Sequence, residues 1–508
     1  MLPKTQEPAP PSDLEKLKFV LTEVTVEGST VYKDADFLPF YEKQFQQEIS
    51  LAGVYQIAAA ITAKYRNDGY ILSRALVPPQ RIAGGKIRIK IVEGFIDTVD
   101  IEGEIKGRRS LLEAFGKKIS QSRPLRAKDL ERYLLLINDL AGVKAKSILT
   151  PSERAFGASK LTLILEHKGF NGFASMDRRG NRFTGPFQGS VEANANSLLG
   201  LYERTGFRFI TTSQTKELIY VRAHYEQQIG AEGTKALFSG TVVETEPGHT
   251  LKQFNVDSNT SIISVQLSHP FIRSREKNLS AHVGFTRRDS ETLVLSKLNS
   301  KDRLRILNIG ASYDFVDRFR GVNLVSFDFN QGLNIFNATE TGSANLTRAR
   351  GESDFTKISG SAFRLQPIRP RWTFLTEAAW QYSFSNLLAS QEFIVGGSRF
   401  GRAYDSSEIS GEQGFGGKIE LQYAHPIGWK FVKNFQYYAF ADYGSIWNKG
   451  ASAGQDVKET LTSAGFGLRY NLSRQISGYL EAAKPMSRRV DAENDKNFRF
   501  FFNIIARF

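Results

Sequence analysis

Beyond His167 the chain loses every helical period and becomes a succession of alternating segments. Apolar and polar residues take turns within each segment, and polar or glycine-containing turns separate them. A period of two places successive side chains on opposite faces of a strand. Sixteen such segments are read, centred near Phe173, Phe187, Phe207, Tyr220, Leu237, Ile263, Val283, Ile309, Val325, Ile358, Leu375, Ile419, Tyr438, Phe466, Tyr479 and Phe502. Many run to ten residues or more, whereas an ordinary globular strand has roughly 5–6. A tilted strand that crosses a bilayer needs roughly 9–11. From Gly417 to Tyr423, Ile419, Leu421 and Tyr423 share one face, and Lys418, Glu420 and Gln422 share the other. In the last segment Phe498, Phe500, Phe502, Ile504 and Phe508 oppose Arg499, Asn503 and Arg507. Lipid cannot satisfy a charge but a watery lumen can. An even number of long strands, apolar outside and polar inside, therefore predicts an antiparallel transmembrane barrel. A soluble sandwich or propeller also alternates, but seldom with so many long strands and a polar interior.

The first third of the chain has a different grammar. Phe19 to Glu27 alternates as a strand, and a mixed helical stretch follows near Asp34 to Phe45. Val54, Ile57, Ala58, Ile61 and Tyr65 then fall on one helical face, which Asp68-Gly69 ends. Ile71 to Val77 and Lys86 to Glu93 complete the unit as strands. In the second of these, Ile87, Ile89 and Ile91 face the core while Lys86, Arg88 and Lys90 face water. That basic stripe either steers an acidic segment or is a solvated face. The order β-α-α-β-β then recurs: a strand at Ile96 to Ile101, helices at Arg108 to Lys118 and Arg126 to Leu140, and strands at Val143 to Leu149 and Ala158 to Glu166. The second helix carries Leu130, Leu134 and Ile137 on one face. Copying the order of five elements is a strong repeat signal. The expected organisation is a linker over 1–17, two α+β domains at 18–94 and 95–167, and a barrel from 168 to 508.

Composition removes several function classes. The chain of 508 residues has no cysteine, so it offers neither a thiol nucleophile nor a thiolate metal site. Its six histidines are scattered without a ligand-pair spacing. No window is apolar for the roughly 18 residues that a membrane helix requires. No phosphate loop and no Gly-x-Ser-x-Gly elbow is present, and acid pairs such as Asp34 and Asp36 read as surface residues. The expectation is a protein that is not an enzyme, with no cofactor, no metal and no nucleic-acid partner, despite a formal charge of +14. Residues Met1 to Asp13 are polar and proline-rich, and no export signal is visible in them.

One loop stands out among the turns. Phe393 to Gly417 is long and glycine-rich, with Gly396, Gly397 and Gly401 ahead of Arg402, which Phe400 and Tyr404 flank. A guanidinium so placed wants a carboxylate in planar geometry, and Glu420 and Asp442 follow on the next strands. A surface loop with a solvated arginine is the alternative that residue chemistry leaves open.

From about Phe19 to Phe508 the chain resembles the two-partner-secretion translocators of the Gram-negative outer membrane, within the superfamily that includes the barrel-assembly insertases. The first domain carries the resemblance through Ile61-Thr62-Ala63-Lys64-Tyr65, Asp68-Gly69-Tyr70, Pro79-Gln80, Gly84-Gly85 and Val92-Glu93-Gly94. The second carries it through Asn138-Asp139-Leu140-Ala141-Gly142 and Leu149-Thr150-Pro151. In the barrel, Gly401-Arg402-Ala403-Tyr404 is similar to the family's Val-Arg-Gly-Tyr type motif, with Gly401 and Ala403 departing from it. Phe440-Ala441-Asp442 is similar to its Phe-x-Asp motif, Glu420 aligns with its wall acid, and Phe508 with its barrel-assembly signal.

The resemblance implies two periplasmic POTRA domains, a sixteen-stranded barrel, and a loop folded into the lumen with Arg402 paired to Asp442. It implies a pore that passes an unfolded exported partner (an adhesin, haemolysin or toxin with an N-terminal secretion domain) to the cell surface, driven by folding outside. Outer-membrane lipid and the barrel-assembly machinery are the further partners it implies. An insertase that builds other barrels is the alternative within the superfamily.

Overall fold

The computed structural model describes residues 12–429, 432–449 and 456–508. By its internal contacts the chain divides into a unit ending at His167 and a unit beginning at Lys168. The linker read over 1–17 lies outside the described residues up to residue 11, and Ser12–Glu15 forms a single 3-10 turn.

The N-terminal unit holds two three-stranded sheets, each with helices packed on it. In the first, Lys86–Val92 lies between Glu23–Glu27, to which it is parallel, and Arg74–Leu76, to which it is antiparallel. Helix Leu51–Asn67 starts where the Ser50 hydroxyl accepts the Gly53 N–H at 3.2 Å. Its apolar stripe, Val54, Ile57, Ile61 and Tyr65, is buried with Ile87, Ile89 and Ile91. Gly69 ends it at φ +94°, a left-handed conformation that favours glycine. In the second sheet Ala158–His167 lies between Phe95–Gly103 and Val143–Pro151. Helices Arg109–Ser120 and Ala127–Asn138 accompany it; the latter buries Leu130, Leu136 and Ile137, with Leu134 only half-buried.

Two strands of the first sheet are shorter than their alternation predicts. The stretch from Phe19 to Glu27 breaks at Leu21, because the chain changes partners there. Lys18–Val20 pairs with Glu48–Ser50, and Glu23–Glu27 pairs with Lys86–Val92. Ile71 to Val77 keeps only Arg74–Leu76, since the Ser73 N–H closes a turn onto the Tyr70 carbonyl.

The Val92-Glu93-Gly94 motif has a physical reason in this fold. The Glu93 carboxylate accepts the Thr30 N–H at 2.7 Å, the Val31 N–H at 3.1 Å and the Tyr65 hydroxyl at 3.0 Å. It thus pins the Gly28–Tyr32 turn to the helix. A Cβ on Gly94 would sit 2.4 Å from the Leu72 carbonyl oxygen. The basic stripe on the strand that leads into this motif, Lys86–Val92, is neutralised at one position, where Lys86 pairs with Glu23 at 2.7 Å.

The C-terminal unit is a closed antiparallel barrel of sixteen strands. Fifteen of the sixteen predicted centres fall inside these strands, and Phe187 falls one residue before Gln188–Asn196. Strand lengths run from 8 residues in the first, Phe170–Asp177, to 20 in the eighth, Lys297–Val316. The last strand, Arg499–Arg507, closes on the first through pairs from Asn503↔Asp177 to Arg507↔Phe173. Phe508 extends this seam by exchanging main-chain hydrogen bonds of 3.1 and 3.2 Å with Gly172. Closure leaves no open sheet edge in the bilayer, where unpaired main-chain groups are costly.

The two faces separate by chemistry. Phe207, Ile263, Ile419, Phe466 and Phe500 are exposed on the outer face. Inside, serines meet across the strands: Ser175 with Ser190 at 2.7 Å, Ser239 with Ser264 at 2.8 Å and Ser280 with Ser312 at 2.8 Å. Among the described residues no helix is long and apolar enough to cross a membrane; crossing falls to the strands.

Phe466→Arg, on the outer face at mid-strand, should cost about 2–4 kcal/mol of membrane stability. Refolding into liposomes, scored by heat-modifiable migration, should fall; unchanged insertion would mean the face is wrongly assigned. Glu93→Ala should cost about 1–3 kcal/mol by orphaning the donors of the Gly28–Tyr32 turn. Amide exchange in Lys86–Val92 should accelerate while exchange in the barrel stays constant.

Candidate functional site

The loop between the eleventh strand, Trp372–Ser383, and the twelfth, Gln413–Trp429, folds into the lumen. It narrows into a two-stranded hairpin in which Phe393–Val395 pairs with Ile409–Gly411. The tip is closed by main-chain bonds: the Gly396 N–H to the Phe400 carbonyl at 2.9 Å, and the Gly397 N–H to the Tyr404 carbonyl at 3.1 Å. Gly396 requires glycine twice over, since its φ is +116° and a Cβ would lie 2.1 Å from the Asp405 carbonyl oxygen. Phe400, Ala403 and Tyr404 are buried among Ile446, Leu461, Val490 and Phe501. An apolar knob thus holds the loop against the wall. The Tyr404 hydroxyl donates to the Arg488 carbonyl at 3.1 Å.

Arg402 sits at the tip and is 4% exposed. Its guanidinium lies over the Phe440 ring at 3.4 Å. Nε donates to Asp442 Oδ2 at 3.1 Å and Nη2 to Oδ1 at 2.9 Å, the two-point contact of a fork on a carboxylate. The Arg402 main-chain N–H adds a third donor to Asp442 at 2.9 Å. Nη1 donates to Glu420 at 2.8 Å and approaches Glu481 at 3.5 Å. Asp442 and Glu420 come from adjacent strands: Lys418 pairs with Asp442, and Glu420 with Phe440.

The cradle is larger than the two acids singled out in the sequence. Glu420 also accepts from Arg469 at 2.6 Å, and Glu481 from Arg179 at 2.5 Å and the Tyr438 hydroxyl at 2.8 Å. Arg179 reaches further, donating to the Arg402 carbonyl at 3.1 Å. Arg499 donates to the Ala403 carbonyl at 3.0 Å and to Asp405 at 2.5 Å. Four carboxylates, Asp405, Glu420, Asp442 and Glu481, therefore face four guanidiniums, Arg179, Arg402, Arg469 and Arg499, so these charges balance despite their burial. That balance is what a buried charge cluster requires. Alternation places Glu481 on the inward face with Tyr479 and Ala483, but gives no hint of its partner. Arg179 lies in the turn after the first strand and carries no pattern signal.

Of the residues picked out from the sequence, Arg402, Tyr404, Glu420, Phe440 and Asp442 converge here. Gly401 completes the tip at φ +82°. Phe508 stands apart from them, at the barrel seam. The chemistry available is mechanical: a multivalent, dry ion-pair lock that fixes a loop inside a conduit.

Comparison with known proteins gives this architecture its family. Residues 157–470 match the family described as "Haemolysin secretion/activation protein ShlB/FhaC/HecB", and residues 19–94 match "POTRA domain, ShlB-type". The chain is 23% identical to the heme/hemopexin transporter protein HuxB of Haemophilus influenzae strain 86-028NP, over 97% of this chain and 88% of that protein. It is 23% identical to the outer membrane transporter CdiB of Escherichia coli, over 92% of this chain and 79% of that protein. The solved structure of CdiB from Escherichia coli shares the fold at a TM-score of 0.77 and 21% identity, covering 99% of this chain and 93% of that one. That of CdiB from Acinetobacter baumannii does so at 0.68 and 17%, covering 97% and 90%. The chain belongs to the haemolysin secretion/activation family, the two-partner-secretion transporters of the Gram-negative outer membrane whose POTRA domains stand in the periplasm.

Proposed function

We propose that this protein takes up an unfolded exported partner through POTRA units at 18–94 and 95–167, and passes it through the lumen to the cell surface. Family membership makes it a transporter that works with a secreted partner protein. The finer reading assigns an adhesin, haemolysin or toxin with an N-terminal secretion domain. It assigns no catalytic step, no cofactor and no nucleic acid. Outer-membrane lipid surrounds the barrel, and Phe508 serves as the signal to the barrel-assembly machinery.

The observation that carries the reading is the loop held in the lumen by Arg402. A passive porin for small solutes needs neither that lock nor the two N-terminal sheets. Docking has a physical route in the second sheet. Val143–Pro151 is an edge strand whose Ile148 and Leu149 are exposed, so an extended partner segment can add to it by main-chain bonds.

The loop is the part to test first. Arg402→Ala strips Asp442 of its only cation partner among the described residues. Breaking a buried pair from one side costs about 3–5 kcal/mol. The barrel should still insert, because closure rests on strand pairing. Export of a co-encoded partner should fall about tenfold or more. Arg402→Lys should restore only part of it, since an ammonium cannot hold Asp442 in a fork and reach Glu420 as well. Full export by Arg402→Ala would refute the loop's role. Deleting residues 18–94 should abolish export and leave the barrel inserted; persisting export would place docking elsewhere.

A further inference from the structure

The lumen wall is not uniform in how it treats its charges. Around the inward loop, Arg179, Arg402, Arg469 and Arg499 all form ion pairs with buried carboxylates. The third strand, Arg204–Thr212, the fourth, Ile219–Ile229, and the seventh, Lys277–Val294, behave differently. They carry Arg208, Arg222 and Arg288 on a single register row. Along it Arg208 faces Arg222, Arg222 faces Thr241, Thr241 faces Ile262, and Ile262 faces Arg288. The row points inward, since neighbouring Phe207 and the alternate residues Ile263 and Val283 are exposed outside.

Nε of each of these three arginines is buried and has no hydrogen-bond partner. Arg208 reaches Glu192, directly opposite it in register, only in a long ion pair of 4.0 Å, outside hydrogen-bond reach. Arg222 forms no ion pair among the described residues, and nearby Glu226 is taken by Lys235 at 3.0 Å. Asp302, on the strand beside Arg288, accepts the Thr347 N–H at 3.2 Å and also its hydroxyl. Like charges directly opposed across two strands destabilise a sheet, so the Arg208–Arg222 pair is a cost to the empty barrel. A guanidinium presents five donors in a rigid fork that fits a carboxylate.

We propose that Arg208, Arg222 and Arg288 form a contact track for the exported polypeptide, binding its Asp and Glu carboxylates as the extended chain passes. The proposal rests on the secretion reading above. Three sites on one row let a carboxylate leave one arginine for the next without crossing an apolar gap wider than Thr241 and Ile262. Each contact is partly hydrated, hence weak and readily released, as a conduit needs. Attraction of this kind is screened by salt.

The test uses the full-length protein in planar bilayers, blocked by short oligo-glutamate or oligo-lysine peptides of equal length, with export of a co-encoded partner measured in parallel. Oligo-glutamate should block the wild-type current at the lower concentration, and added salt should weaken it. In R208Q/R222Q/R288Q its half-blocking concentration should rise about tenfold, with oligo-lysine unchanged. The single variant R222Q should move the same way by about threefold, which guards against misfolding of the triple variant. Lysine at all three positions should keep part of the preference. Equal block by both peptides, or a triple variant indistinguishable from wild type while heat-modifiable and inserted, overturns the track. Export by wild type alongside charge-blind block sinks the track alone. Glutamate-selective block without export sinks the secretion reading and the polypeptide role with it.

Discussion

The bilayer imposes the constraint from which the rest of this structure follows: no main-chain donor or acceptor in the hydrocarbon can go unpaired. With no helix of the right length and apolarity among the described residues, the chain meets that demand by closing sixteen strands on themselves. Closure fixes parity. Once one residue of a strand faces lipid, every second residue must tolerate lipid and every other one faces the lumen. Serine ladders and charged residues accumulate inside because that is where water and counter-charges can reach them.

A lumen filled with charge needs its own accounting, and the inward loop supplies part of it. Arg402 neutralises Asp442 outright and shares Glu420 with Arg469 and Glu481 with Arg179. Of the three acids that Arg402 touches, only Asp442 depends on one cation alone among the described residues. That asymmetry explains why the Arg402–Asp442 contact carries the two-point fork and a main-chain N–H, while the others are single contacts or are backed by a second arginine. The apolar contacts of Phe400 and Tyr404 hold the tip in a position where the fork can form.

The sequence made the architecture readable because its signals are local. Alternation recurs within each strand, and the repeated β-α-α-β-β order occurs twice in the first 167 residues. Arg402, Glu420 and Asp442 were legible for the same reason, lying on a glycine-marked loop and the next two strands. What was hidden is non-local. Glu481 and Arg469 read only as polar residues on an inward face, and Arg179 as one more arginine in a turn. Their pairing depends on strands meeting around a barrel, and no period records that. The break at Leu21 was hidden too, since a strand that changes partners keeps its alternation through the switch.

Arg179 lies just after the first strand, yet it donates to Glu481 near the end of the chain and to the Arg402 carbonyl, 223 residues away along the sequence. The lock on the loop therefore cannot be completed by any contiguous stretch of the nascent polypeptide. It is finished only when the first strand and the last few have been brought together. Contacts of such long sequence separation form late and slowly. Docking of the loop and closure of the wall are thereby joined into one terminal step of biogenesis. A barrel whose ends have not met lacks a complete fastening for its loop, and the finished fastening records that the circle is whole.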